Sequence, residues 1–174
     1  MRWVGFVRNV MLGREGVTRE VLLSSLHDAG AVEARSHLTT GNVTFEVGDV
    51  PADVIAVRLE EAVSRVLGRP EIVALRPLDR LRDLVAGDWF SGFDPTSWEL
   101  EVGFLRHDAP ALDASLLPDP RRTVLVRVQE RELFTARPRS GGGRPHVNTL
   151  LERARGARAT ARGWSTLKRI AEKG

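Results

Sequence analysis

The chain has 174 residues, 42% of them apolar, which suits one ordinary domain or two very small ones sharing a core. It contains no cysteine, which excludes disulfides, thiol nucleophiles and thiolate metal sites. The net charge of +3 conceals a division: residues 1–136 carry 16 basic and 21 acidic side chains, a balance of −5, while residues 137–174 carry 10 and 2, a balance of +8. Basicity gathered at one end marks either a face for an anionic partner or a solvated tail. Arg8 interrupts any leader-type apolar stretch, and no apolar run reaches the length of a membrane span, so a cytoplasmic protein without membrane contact is expected.

In chain order, residues 3–8 (WVGFVR) have the length and composition of a strand. A helix follows, capped by Thr18, with Val21, Leu22, Ser25, Leu26 and Ala29 on one stripe and Gly30 as its stop. Residues 33–47 read as a hairpin, Val43, Phe45 and Val47 alternating and Gly41-Asn42 supplying the turn. Pro51 opens a second helix carrying Ile55, Leu59, Ala62, Val63 and Val66, Gly68 ends it, and residues 71–76 form another strand. The order β-α-β-β-α-β is that of a ferredoxin-like unit.

Residues 78–86 predict a short helix, and Trp89, Phe90, Phe93 and Trp98 cluster after it. The pattern then repeats. Leu100, Val102 and Phe104 alternate as a strand, residues 111–117 suit a short helix, and Val124, Val126 and Val128 pair with Glu132–Ala136 through a turn at 129–131. A helix at Val147–Arg155, a strand at Ala159–Arg162 and a last helix with Trp164, Leu167 and Ala171 on one face complete it. The expected fold is thus α+β: two tandem ferredoxin-like (βαββαβ) subdomains with a C-terminal helix, at 1–76 and 99–174, joined by a helical and aromatic connector at 77–98. The halves share element order, with no identity evident between their residues. Each half alone buries too little surface to be stable, so the two should dock, with the clustered aromatics as the apolar plug between them. A base-stacking platform is the alternative use of those rings.

Candidate functional residues gather late in the chain. In Arg137-Pro-Arg-Ser-Gly-Gly-Gly-Arg-Pro-His-Val-Asn148, three glycines permit close backbone approach, and a helix starting after them points free amides at the loop. Arg137, Arg139 and Arg144 add forked donors for phosphate or carboxylate around Gly142. This is no Walker loop, which needs a Gly-Lys-Ser/Thr ending after a strand. The competing reading is a loop with its arginines in water. The four histidines lack ligand spacing, no serine sits in a nucleophile elbow, and neither a metal nor another cofactor is expected.

Five stretches together carry a family resemblance: Arg8 after an apolar strand, Thr40-Gly41-Asn42-Val43, LVAGDWF at 84–90, Asn148-Thr-Leu-Leu-Glu-Arg, and Thr160-Ala-Arg-Gly-Trp164-Ser-Thr-Leu. In this order they resemble the bacterial family called domain of unknown function 1697, over nearly the whole chain. The resemblance implies two tandem ferredoxin-like subdomains and no assigned activity. Departures exist. The family's Arg-Gly-x-Asn-Val-Gly-Gly run after the first strand is RNVMLG here, about one residue shorter, and Pro145 takes the place of a lysine that relatives carry before the asparagine at 148. Arg144 is the available substitute.

Two functional classes follow. The first is a non-catalytic module that binds an anionic small molecule or nucleic acid through the late arginines, although TGNVTFEV offers only Phe45 where an RNA-binding strand would alternate aromatics. The second is an enzyme acting on a small phosphorylated or carboxylated substrate in the cleft between subdomains, with Arg8, Asn42, Asn148 and Arg162 as orienting groups. No general base for it stands out in the sequence.

Overall fold

The structure, a computed structural model, describes residues 1–117, 123–140, 146–156 and 158–174. Strand β1 (Arg2–Val7) is followed by helix α1 (Arg19–Ala29). The Thr18 hydroxyl caps α1 by accepting from the Val21 amide, and Gly30, at φ 100°, ends it. Strands β2 (Ala31–His37) and β3 (Asn42–Val47) form the expected hairpin, helix α2 (Ala52–Leu67) stops at the left-handed Gly68, and β4 (Val73–Pro77) completes an antiparallel sheet ordered β2-β3-β1-β4. The first half therefore has the βαββαβ order, and α3 (Leu78–Ala86) leads out of it.

A second four-stranded antiparallel sheet, ordered β6-β7-β5-β8, contains β5 (Trp98–Leu105), β6 (Val124–Gln129), β7 (Glu132–Pro138) and β8 (Ala159–Gly163). Helix α4 (Val147–Arg155) precedes β8, and α5 (Trp164–Lys173) closes the chain. The helix expected at 111–117 is reduced to one 3-10 turn at Ala114–Leu116. Pro110 and Pro118 bracket that stretch, and the residue before a proline is biased away from the helical region, which disfavours a helix running up to Leu117. Two helices, α1 and α2, therefore cover the outer face of the first sheet, whereas α4 alone covers that of the second.

The hairpin turn also differs from expectation. Leu38 (φ 59°) and Gly41 (φ 66°) take the left-handed positions, and Asn42 is already the first residue of β3, its side chain fully buried. Strand alternation puts Asn42 on the same face as Thr44, toward the second sheet.

Between the sheets lies an apolar layer built from Val4 and Phe6 of β1, Val102 and Phe104 of β5, Phe134 of β7, and the paired helices α3 and α5. The Phe6 and Phe104 rings meet at 4.6 Å between centroids. Phe90 is buried in the same layer, 5.1 Å from the Trp164 ring, and Phe93 stands edge-on to Trp98. The clustered aromatics are thus spent on packing, each fully buried ring contributing about 1.5–3 kcal/mol.

The two halves share more than element order. Val4 faces Arg76 as Val102 faces Arg162, and Phe6 faces Asn42 as Phe104 faces Glu132. This register lays Val4-Gly5-Phe6-Val7-Arg8 over Val102-Gly103-Phe104-Leu105-Arg106, identical except for Val7 and Leu105. The offset between matching residues shrinks along the chain, from Val4/Val102 through Asn42/Glu132 to Arg76/Arg162, so no single spacing aligns the whole of the two halves, although these first strands match at one.

Candidate functional site

The seam between the sheets is apolar at its centre and polar at both ends, and the two ends are built reciprocally. Arg76 of β4 reaches across to the Glu132 carboxylate at 2.5 Å and to the carbonyls of Leu105 and Arg131. Arg162 of β8 reaches the other way, to the Asn42 amide oxygen and the carbonyls of Val7, Thr40 and Gly41. Each guanidinium also bonds the carbonyl of the residue before it and lies over a phenylalanine ring, Phe104 for Arg76 and Phe6 for Arg162. Outside these, Arg8 grips Glu152 on α4 through Nε and Nη2, while Arg106 grips Glu60 on α2 through the same two nitrogens. Such mutual exchange of equivalent contacts is the pattern of a two-fold interface.

One substitution breaks the equivalence. Where Arg76 meets a buried carboxylate, Arg162 meets only neutral acceptors, because Asn42 stands where the other end has Glu132. Burial alone pulls the Arg162 guanidinium down to about 9. Its charge is therefore hydrogen-bonded but not neutralised. A buried cation in that condition favours an anion nearby.

A crevice of about 410 Å3 opens beside it, lined by Arg8, Asn9, Glu101, Asn148, Thr149 and Arg162 among others. Asn9 holds a left-handed backbone (φ 51°) and donates to Glu71, which also takes a hydrogen bond from Arg8. Although its own burial opposes the charge, hydrogen bonds to Glu71 and Glu152 raise the Arg8 pKa above the ordinary value. Helix α4 starts at the crevice, and among the described residues no side chain caps it, so the positive end of its dipole lies toward that end of the cavity.

Glu101 supplies what the sequence did not reveal. Burial, reinforced by the neighbouring Glu99 charge, raises its carboxyl above the usual range, against the opposing pull of His146 and Arg137. Its Oε1 lies 3.5 Å from His146 Nδ1, and its buried Oε2 has no hydrogen-bond partner. A carboxyl that holds its proton more tightly than usual, at the wall of a polar crevice, can exchange it with a bound molecule. In the sequence Glu101 reads as the solvent-facing residue of an alternating strand. The clue to its burial is that α4 covers the face it shares with Gly103.

Of the residues expected from sequence to form a site, Arg8, Asn148 and Arg162 line this crevice together, and Asn42 holds Arg162 from behind. Arg137 stands at the rim, paired with Glu99 and 3.1 Å from His146 Nδ1. Arg139 lies elsewhere: it donates to the Pro95 carbonyl and lines a separate crevice with Phe93, Trp98, Trp164 and Lys168. Gly142 and Arg144, with the rest of 141–145, lie outside the described residues, and so does the core of the proposed glycine cradle. Among the described residues no group of three or more His, Asp or Glu side chains is placed to hold a metal ion. No helix among them is long and apolar enough to cross a membrane.

A family model described as "Protein of unknown function (DUF1697)" matches residues 1–134. The chain belongs to the DUF1697 family. Among solved structures, this DUF1697 chain is similar to the conserved bacterial protein SP0830 from Streptococcus pneumoniae, with a TM-score of 0.72 at 16% sequence identity, over 99% of this chain and 97% of the other. At that identity the likeness concerns the fold. No curated protein matches. The matched family segment ends before α4 and β8, which carry Asn148 and Arg162, whereas the structural likeness spans almost the whole DUF1697 chain.

Proposed function

We propose that the protein binds a small molecule bearing a phosphate or carboxylate in the crevice between its two ferredoxin-like halves. The observation that carries this reading is Arg162, a buried cation that among the described residues meets neutral acceptors alone, where its structural counterpart Arg76 has a carboxylate. The positive end of the α4 dipole and the side chains of Asn148 and Thr149 would meet the anion, since the guanidinium of Arg162 spends its own donors on protein oxygens. Charge from within and hydrogen bonds from the rim together suit an oxyanion. Glu101 favours a second reading in which the bound anion is also turned over, this carboxyl serving as acid or base.

The nucleic-acid alternative has less behind it. Arg137 is committed to Glu99, Arg139 to the Pro95 carbonyl and Arg158 to the Pro70 carbonyl, on different parts of the surface. Phosphate-tracking proteins instead aim their cations along one groove.

A thermal-shift screen of inorganic phosphate, sugar phosphates, nucleotides and small carboxylates tests the proposal. A ligand at about a hundred times its Kd should add roughly 2.7 kcal/mol to stability. Asn148→Ala should abolish most of the shift while leaving the unliganded melting temperature nearly unchanged. A flat screen, or a hit indifferent to Asn148, refutes the reading. Single-stranded oligonucleotides in the same screen should give no shift that disappears steeply with salt.

A further inference from the structure

A separate crevice of about 410 Å3 opens where the segment after α3 meets β5 and the start of α5, and it has the size of a small-molecule site. Four aromatic rings line it. Phe90 and Trp164 are buried by packing, whereas Phe93 and Trp98 are only half-buried and still reach solvent. The rings meet edge-on rather than stacked: Phe93 against Trp98 at 5.1 Å and 75°, Phe90 against Trp164 at 5.1 Å and 67°. Such pairing leaves ring faces without a stacked neighbour, and a planar aromatic guest is the partner that fits them.

The charges around those rings describe the rest of the guest. Lys168 is exposed and makes no ion pair among the described residues, its ammonium standing 5.7 Å from the centre of the Trp164 ring. Arg139, also exposed, is fixed in place by its backbone amide, which donates to the Ser97 carbonyl, and by its Nε, which donates to the Pro95 carbonyl. Of the two acids that line the crevice, Glu99 is taken by Arg137, which leaves Asp88 alone against two cations, a balance of +1. An accessible aromatic wall thus adjoins one positive charge without a counter-ion. A cationic guest would be repelled there, and a dianionic phosphate would exceed the charge available.

We propose that this crevice binds a planar aromatic monocarboxylate, its ring against Phe93 and Trp98 and its carboxylate met by Lys168 and Arg139. All four contact residues are open to solvent, so the guest reaches them without any rearrangement of the buried layer. No lining residue is shared with the crevice beside Arg162, so either site can fail alone.

Titration of the full chain with indole-3-carboxylate, followed by calorimetry and by 15N-edited NMR, tests it. The acid should bind at millimolar concentration or below, moving the indole signal of Trp98 most and leaving those of Trp3 and Trp89 in place. Cyclohexanecarboxylate, which keeps the charge without the aromatic ring, should bind about threefold or more weakly. Lys168→Met, at an exposed position, should weaken indole-3-carboxylate by about two- to fivefold. Trp98→Leu should weaken it by about fivefold or more. Because the crevice beside Arg162 is itself proposed to take carboxylates, the titration is repeated with Asn148→Ala, in which binding at Trp98 should persist. Failure of the acid to bind overturns the proposal, as does binding that vanishes with Asn148→Ala or leaves the Trp98 signal unmoved. Equal affinity for the cyclohexane acid, or undiminished binding by folded Lys168→Met and Trp98→Leu variants, overturns it too.

Discussion

Arg76 and Arg162 hold one position in two equivalent strands, yet a single difference across the seam, Glu132 against Asn42, gives them different electrostatic lives. Beside Arg162, Glu101 is the titrating group that should report on the crevice. Because its folded-state pKa is raised by burial, the folded chain holds its proton more tightly than the unfolded chain. The stability this contributes is complete below the ordinary carboxylate value and is lost as pH rises through the raised one. Glu101→Gln should therefore match the wild type in urea melts near about pH 4, exceed it near about pH 8, and flatten the decline between them. An unchanged pH profile would show that Glu101 is solvated. Arg8, Asn148 and Arg162 stand in the stretches that carry the family resemblance, and the structure gathers them at one crevice. Glu101 was not legible in the sequence, since strand alternation alone cannot say that a helix lies over the second face.

At the scale of elements, the strongest constraint is the close approach of α4 to β5. A Cβ added at Gly103 would stand 2.6 Å from Leu151 Cδ1 and 2.7 Å from Val147 Cγ2, whereas at the equivalent Gly5 the nearest atoms are 3.1 and 3.2 Å away. Gly103→Ala should accordingly cost about 1–3 kcal/mol and displace the start of α4, with Gly5→Ala costing less. Urea denaturation of the two variants measures the difference, and equal costs would contradict the close packing. Most element boundaries follow from local signals that the structure bears out, such as the Thr18 cap, the glycine stops at Gly30 and Gly68, and the alternation in β3. The helix expected at 111–117 is cut to one turn because prolines bracket it, and the turn expected at Gly41-Asn42 falls earlier because Asn42 is held in β3 against the distant β8.

For the molecule as a whole, the apolar layer between the sheets belongs to neither half. Val4, Phe6 and α3 complete their burial against Val102, Phe104, Phe134 and α5. Heat or urea should unfold the chain in one transition, with far-UV circular dichroism and tryptophan fluorescence superimposable. Residues 1–97 expressed without the remainder should expose this layer and lose cooperative melting. Two separate transitions would instead make the halves independent domains. The order of elements, read from the sequence, anticipated that the halves dock, but not that they exchange equivalent contacts, because each contact joins residues that only the folded seam brings together.

In an assembly of two identical chains every substitution is made twice, so a change that suits one cleft is forced upon the other. Joining both copies in one polypeptide lifts that coupling. The amide of Asn42, where the other end has a carboxylate, leaves one arginine uncompensated without sacrificing the ion pair that secures the opposite end, so the two ends of the seam are free to differ in charge.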